Sequence, residues 1–422
     1  MDVMDKELKV PKLRFKDDGG REFPSWEERR LGEYLQEKNI KEVESSLAPL
    51  MAFVANRGIV YKGERYDRSA LIKEADKQYK RTDYGDFIYS SNNLDVGSIG
   101  LNLYGSAVIS PVYEIFSAKV DVNLLCISTL IQRPKNLYQI LRYRQGVMYG
   151  QLKIHSKDFL NVKLFLPTLP EQRKIADFLT AYDELIDTQS KRVEALKLRK
   201  KGLLQKIFSQ EIRFKDDEGR EFPKWKEKTI REISMLVTKQ TGFDYTNVIK
   251  SSLVTSPNDD TLPYLQTKNF SGLHFNYKTD YYISRKYGQI YPKLFLNEPC
   301  LLMSIVGASV GNIGLFSGET HCFLSGAICV IRLSPGENIN YVYQYMIASR
   351  FQQEVKLNTK TGAQATITIE DIRSLSIKYP TLPEQRKIAD FLSVADYQIA
   401  LEGKRLDTMC LIKKALLQQL FV

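Results

Sequence analysis

The side chains best suited to covalent or metal chemistry are few and scattered in this 422-residue chain. Its five cysteines, Cys126, Cys300, Cys322, Cys329 and Cys410, are odd in number and form no Cys-x-x-Cys pair. Neither a disulfide framework nor a structural zinc site is therefore expected, and the thiols read as core filler. The histidines His155, His274 and His321 also lack a ligand spacing, so no metal is expected. The stretch Gly307-Ala-Ser-Val-Gly-Asn-Ile-Gly314 superficially suggests a phosphate loop. It has neither the Gly-x-Gly-x-x-Gly spacing nor the lysine of a nucleotide-binding loop, and it reads as a turn between strands. Asp259-Asp260 reads as a loop on the same grounds. With no Asn-Pro-Pro-Phe/Tyr or Asp-Pro-Pro-Tyr motif either, catalysis by this chain is not expected.

What remains is the chemistry of contact. The net charge of +11 and a pI near 9.1 fit a polyanionic partner, of which nucleic acid is the commonest. Two short polar clusters, Tyr149-Gly-Gln151 and Thr361-Gly-Ala-Gln364, stand at corresponding places, each just before a strand that leads into a long helical run. No apolar run is long enough to span a bilayer, and the N-terminus lacks the charged-then-apolar order of a secretion signal; a cytoplasmic protein with no membrane partner is expected.

The elements that must position these clusters come in duplicate. Leu-Pro-Glu-Gln-Arg-Lys-Ile-Ala-Asp-Phe-Leu occupies residues 169–179 and again 382–392. Arg-Phe-Lys-Asp-Asp-Gly-Gly-Arg-Glu-Phe-Pro-Ser-Trp at 14–26 recurs with two changes at 213–225. Such repeats divide the chain into two similar halves. Between them lie inserts of little identity. In the first, Met51-Ala-Phe-Val, Gly58-Ile-Val-Tyr, Asp86-Phe-Ile-Tyr and Gly105-Ser-Ala-Val-Ile-Ser-Pro read as strands, residues 123–149 as helical, and 152–166 as strand. In the second, the strand candidates start at Pro263, Tyr281, Cys300 and Gly326, and 341–355 reads as a helix.

After each Pro-Glu-Gln stretch, apolar residues step by three and four. Ile175, Phe178, Tyr182, Leu185, Val193 and Leu196 mark one seam, and Ile388, Phe391, Leu406 and Met409 the other, as in a coiled coil. Pro170 and Pro383 sit in the first turn, where proline is tolerated, and Glu171 and Glu384 lie near the positive end of the helix dipole. About forty helical residues make each helix roughly 60 Å long. The two should pair with each other, and an antiparallel pairing would carry the inserts at opposite ends. Lys197 to Lys201, Lys404-Arg405, Lys413-Lys414, Arg14 and Lys16 read as solvated or partner-facing charges.

The two segments Pro167-Thr-Leu-Pro-Glu-Gln-Arg-Lys-Ile175 and Pro380-Thr-Leu-Pro-Glu-Gln-Arg-Lys-Ile388, each behind a variable module and ahead of a long helix, carry a resemblance. Over nearly its whole length the chain resembles the specificity subunit of type I restriction-modification systems. The resemblance implies an α+β fold of two mixed α/β target recognition domains, separated by long helices in an antiparallel coiled coil with an internal pseudo-two-fold repeat. The expected divisions are an N-terminal conserved segment (1–31), the first recognition domain (32–166), a central helix (167–211), a repeated segment (212–233), the second recognition domain (234–379) and a C-terminal helix (380–422). Each domain would read one half of a bipartite, asymmetric double-stranded DNA site. The helices would set the spacing and dock two adenine methyltransferase subunits, and two motor-nuclease subunits would complete the complex. S-adenosylmethionine, ATP and Mg are expected on those partners and no cofactor on this chain.

Reading DNA takes Arg, Lys, Asn and Gln at base edges and further basic or hydroxyl groups on phosphates. In the first module the candidates are Asn56, Arg57, Lys62, Arg65, Asn92, Asn93, Tyr149 and Gln151. In the second they are Lys239, Gln240, Thr241, Lys268, Asn269, Lys360, Thr361 and Gln364. Two other readings are a free DNA-binding regulator with two reading heads, and a nuclease or methyltransferase in its own right, which the missing motifs oppose.

Overall fold

The computed structural model describes residues 10–54, 58–61, 77–91, 98–146, 152–360, 362 and 364–421. The chain divides into two units, one of Met1–Thr188 with Leu406–Val422 and one of Gln189–Arg405. Helices Leu169–Phe208 and Leu382–Leu420 each begin in one unit and end in the other.

In the first unit a four-stranded antiparallel sheet runs Leu35–Glu37, Tyr113–Ala118, Phe87–Ser90, Ile99–Leu101. In the second the order is Ser234–Lys239, Ile328–Leu333, Cys300–Ser304, Ile313–Phe316, with the same senses. The likeness continues along the chain. Helices Leu124–Ile131 and Pro134–Leu141 follow the first sheet, and Ile339–Ile347 and Ser349–Asn358 the second. Asn123 and Asn338 cap the leading helix of each pair through their side chains. The described parts of the helical stretches 123–149 and 341–355 thus hold broken helices rather than continuous ones. Pro134 can only start a new helix at its first position, and Ala348 is extended between the second pair.

Each unit then adds a short helix, Ser156–Asn161 or Ile369–Ser374, and a strand, Lys163–Leu166 or Ser376–Tyr379. The strand pairs with Glu27–Arg30 or Lys226–Thr229, just past the repeated Phe-Pro-x-Trp. The expected strand over 152–166 is therefore interrupted by a helix of six residues, too short to show a helical period. Smaller sheets differ between units. The first carries Lys41–Val43, Gln78–Thr82 and Ala107–Ile109 beside the hairpin Met51–Val54 with Gly58–Tyr61. The second carries Tyr282–Ser284, Thr261–Leu265, Cys322–Leu324 and Phe295–Leu296, where one pairing is parallel.

The long helices run antiparallel to each other. In the first unit Ile175, Ala176 and Leu179 share a core with Leu420 and Phe421. In the second, Leu204, Ile207 and Phe208 share one with Ile388, Ala389 and Leu392. Polar contacts repeat in the same way. Lys200 bonds Asp396 at 2.6 Å in the second unit, and their repeat equivalents Lys413 and Asp183 are ion-paired in the first. Gln189 donates to the carbonyl and carboxylate of Glu402, the residue 213 positions later that is its own repeat equivalent. Two sequence readings change here. Lys200 is buried, bonded to an Asp396 that also accepts from Gln344, and burial pushes its ammonium pKa down. Leu185 is exposed, because a helix of 3.6 residues per turn carries a heptad seam out of line.

Phe178 and Phe391 serve a different contact from the helix seam. They meet Phe15 and Phe214 of the repeated segments, with ring centroids 5.4 and 5.6 Å apart. Beside them Arg14 donates two bonds of 2.8 Å to the buried carboxylate of Glu171. Arg213 grips Glu384 with bonds of 2.9 to 3.2 Å, and Trp225 Nε1 adds another at 2.9 Å. Gln172 and Gln385 turn their amides back on the carbonyls of Pro167 and Pro380. Arg14 and Arg213 are thus structural ligands of the Pro-Glu-Gln turn and not solvated charges.

Removing one partner of such a pair leaves a charge without compensation. Glu384→Ala is expected to cost about 3 kcal/mol or more in denaturant unfolding, and Arg213→Met with Glu384→Leu less than that. A second test is pH. Burial pushes the Asp83 carboxyl up, but bonds from Lys38, Ser106 and Arg81 outweigh it and hold the group well below the carboxylate range. A depressed folded pKa stabilises above the unfolded value, about 3.9, and that stability fades as pH falls through the folded value. Asp83→Asn should therefore lower the melting temperature at pH 7, with the gap to wild type closing only below about pH 4.

Candidate nucleic-acid interface

In the second unit, one end of the four-stranded sheet collects the loops that bear the candidate residues. Strands Ser234–Lys239 and Cys300–Ser304 leave the sheet there, and Ile313–Phe316 and Ile328–Leu333 enter it. Backbone bonds tie the loops together. Ile305 N donates to Ala327 O at 3.0 Å, Gly307 N to Ala365 O at 2.8 Å, and Ile367 N to Ile305 O at 3.1 Å. Lys360 and Thr366 exchange two backbone bonds of 2.8 and 3.1 Å, and Thr366 bridges to Val306. Ser325 N donates to Leu265 O, bringing the turn Thr267–Asn269 to the same end.

Glycines permit the turns. Gly307 and Gly311 have φ of +82° and +87°, the left-handed region that other residues enter at a cost. A Cβ on Gly311 would also lie 2.9 Å from Gln352 Oε1, whose amide nitrogen bonds the Gly311 carbonyl. The stretch 307–314 is the turn between strands that its spacing suggests.

The sequence candidates of this module converge here in different states. Lys239, Thr241, Lys268, Lys360 and Gln364 are exposed. Lys268 is ion-paired with Asp280, and Thr241 caps the turn that follows it by accepting from Asp244 N at 3.1 Å. Gln240 and Asn269 are buried. Gln240 Oε1 accepts from Tyr264 Oη at 2.9 Å, and Asn269 Oδ1 accepts from Gln266 N at 2.9 Å. Gln240 turns inward to the Tyr264 hydroxyl, and Asn269 turns inward to the backbone of its own turn. Thr361 lies outside the described residues. So do all eight candidates of the first module, Asn56, Arg57, Lys62, Arg65, Asn92, Asn93, Tyr149 and Gln151.

Sequence reasoning passed over Tyr245, Lys250, Gln266, Tyr281 and Ser325, which line a cleft with Lys239, Gln240 and Thr241. Only the fold brings them together, since nothing in their spacing is periodic. Four of the five cysteines are buried, and burial pushes the Cys300, Cys322 and Cys329 thiols up to about 12. Among the described residues no cluster of His, Cys, Asp and Glu could hold a metal, and no helix is long and apolar enough to cross a membrane.

The duplicated module agrees with what known proteins show. The profile of the type I restriction modification DNA specificity domain matches residues 25–198 and 224–409, and the chain belongs to that family. Two relatives come from Methanocaldococcus jannaschii. A putative type I restriction enzyme MjaX specificity subunit is 24% identical over 385 residues, 83% of this chain and 80% of the relative. The type I restriction enzyme MjaVIII specificity subunit is 24% identical over 330 residues, 73% and 75% of the two chains. The fold is similar to that of the type I restriction-modification S subunit from M. genitalium, with a TM-score of 0.57 at 14% identity over 98% and 99% of the chains. A chain from a structural study of type I system assembly and conformational transition gives 0.54 at 17% identity, over 95% and 98%.

The turn glycines give a local test of this loop end. Gly311→Ala should lower stability by about 1 to 2 kcal/mol in thermal or chemical unfolding. Gly362→Ala should leave stability within about 0.5 kcal/mol, since no atom among the described residues, its chain neighbours aside, lies within 4 Å of its Cβ position.

Proposed function

We propose that this chain is the non-catalytic DNA-specificity subunit of a type I restriction-modification complex, with each module reading one half of a bipartite, asymmetric site. One observation carries this reading: the same sheet and helix frame occurs twice, while the two inserts have little sequence identity. Two copies of one reader with different inserts suit a target whose halves differ in sequence. In the second module, exposed Lys239 and Lys360 would hold phosphates, and exposed Gln364 would meet a base edge.

In this reading the long helices set the number of base pairs between half-sites and dock two adenine methyltransferase subunits. Two motor-nuclease subunits complete the assembly in the cytoplasm. S-adenosylmethionine, ATP and Mg act on those partners, and this chain supplies binding and orientation.

The test is a module exchange followed by methylome sequencing. Replacing residues 32–166 with the corresponding part of a relative should change one half-site and leave the other half and the spacing intact. Lengthening both long helices should change only the spacing. A swap that alters both half-sites, or a chain that neither co-purifies with an adenine methyltransferase nor directs its methylation, overturns the reading.

A further inference from the structure

The cleft in the second unit has a chemistry that groove reading does not use. It has a volume of about 640 Å³, and its lining includes Lys239, Gln240, Tyr245, Lys250, Gln266, Tyr281 and Ser325. Three of its polar atoms, Gln240 Nε2, Gln266 Oε1 and Ser325 Oγ, are buried with no hydrogen-bond partner among the described residues. Gln240 is 2% exposed and Ser325 6%, so neither side chain can reach out into a groove. Unpaired buried polar groups cost stability, and a cleft that keeps an amide donor, an amide acceptor and a hydroxyl suits a ligand that pairs with them.

The orientation of the Gln240 amide follows from its neighbour. Tyr264 Oη donates its proton to Gln240 Oε1, 2.9 Å away, because an amide oxygen can only accept. The amide nitrogen, with both of its protons, is left unpartnered. Gly326 keeps space at this point: a Cβ there would stand 3.3 Å from Gln240 Oε1.

We propose that this cleft binds a single unstacked nucleobase, with Gln240 donating to and Gln266 accepting from its hydrogen-bonding edge. Every base carries a neighbouring acceptor and donor on its Watson–Crick edge. Tyr245 and Tyr281, both partly exposed in the lining, offer aromatic faces for a planar ring. Exposed Lys239 and Lys250 suit the adjoining phosphates. A phosphate alone fits less well, because Gln266 Oε1 would meet it as a second acceptor. The proposal rests on the reading of this unit as a DNA-recognition module, and the base comes either from the bound duplex or from a free nucleotide.

The test measures binding of the full chain with its methyltransferase partner to duplexes bearing its target. At each position of the second half-site, the opposite strand alone is changed to create a mismatch. Extruding a base is easier where it is unpaired, so one mismatch should tighten binding roughly ten-fold. Ser325→Ala and Gln240→Leu should abolish that gain. Ser325→Ala should do so with no loss in melting temperature, since the hydroxyl has no partner to lose. Direct binding of AMP, CMP, GMP or TMP by calorimetry, lost in both variants, would instead identify a free nucleotide as the source of the same base. The proposal is overturned if no mismatch tightens binding and no mononucleotide binds. It is likewise overturned if the variants weaken only the association of protein subunits, which would make the cleft a seat for a partner's polypeptide. In either case sequence-specific duplex binding by the wild type would leave the recognition reading standing.

Discussion

A buried carboxylate at the start of each long helix, closed by an arginine from the segment that precedes the module, is the contact on which each unit depends. Glu171 and Glu384 are almost fully withdrawn from water. A charge in that position is tolerable only with a well-placed counter-charge and further hydrogen bonds, which Arg14 and Arg213 provide. The pairing joins the chain before a module to the chain after it. It also fixes the neighbouring strand pairs, Glu27–Arg30 with Lys163–Leu166 and Lys226–Thr229 with Ser376–Tyr379. Each module is therefore entered and left at one clamp, and its interior is free to change.

What lies between the clamps shows how much change a frame absorbs. The two four-stranded sheets share order and sense although their sequences have little in common. A sheet asks of its residues an apolar fit on a pleated surface, which many sequences meet. The loops at the sheet end carry no such demand beyond a few glycines of positive φ, and contact residues gather on such loops for that reason. Conservation of the frame and divergence of the loops are two sides of one division of labour.

Much of this was legible in the sequence. The repeats marked the frame, the three-four spacing marked both long helices, and short apolar runs marked strands such as Met51–Val54 and Cys300–Ser304. The clamp was not read, because its partners lie 157 and 171 residues apart and Glu171 had a sufficient local role on the helix dipole. Its signal was present, since both partners recur together. Leu185 shows another limit: apolar spacing names a face without saying whether anything covers it. Gln240 and Asn269 look like contact residues by type, but Gln240 is turned inward by its tertiary contact with Tyr264 and Asn269 by its bond to Gln266 N within the turn.

The order in which the chain is made gives the interleaved units a further meaning. The first unit contains Leu406–Val422 as well as Met1–Thr188. Leu13 N donates to Gln419 O, and Trp26 packs edge-on against Phe421. Those partners emerge from the ribosome after the entire second unit, so the half synthesised first is completed last. Until then the faces of Ile175, Leu179 and Trp26 that await the final helical turns are left open. Assembly of the first unit thus awaits synthesis of Leu406 and the residues after it, while the second unit has all of its own chain in hand by Arg405.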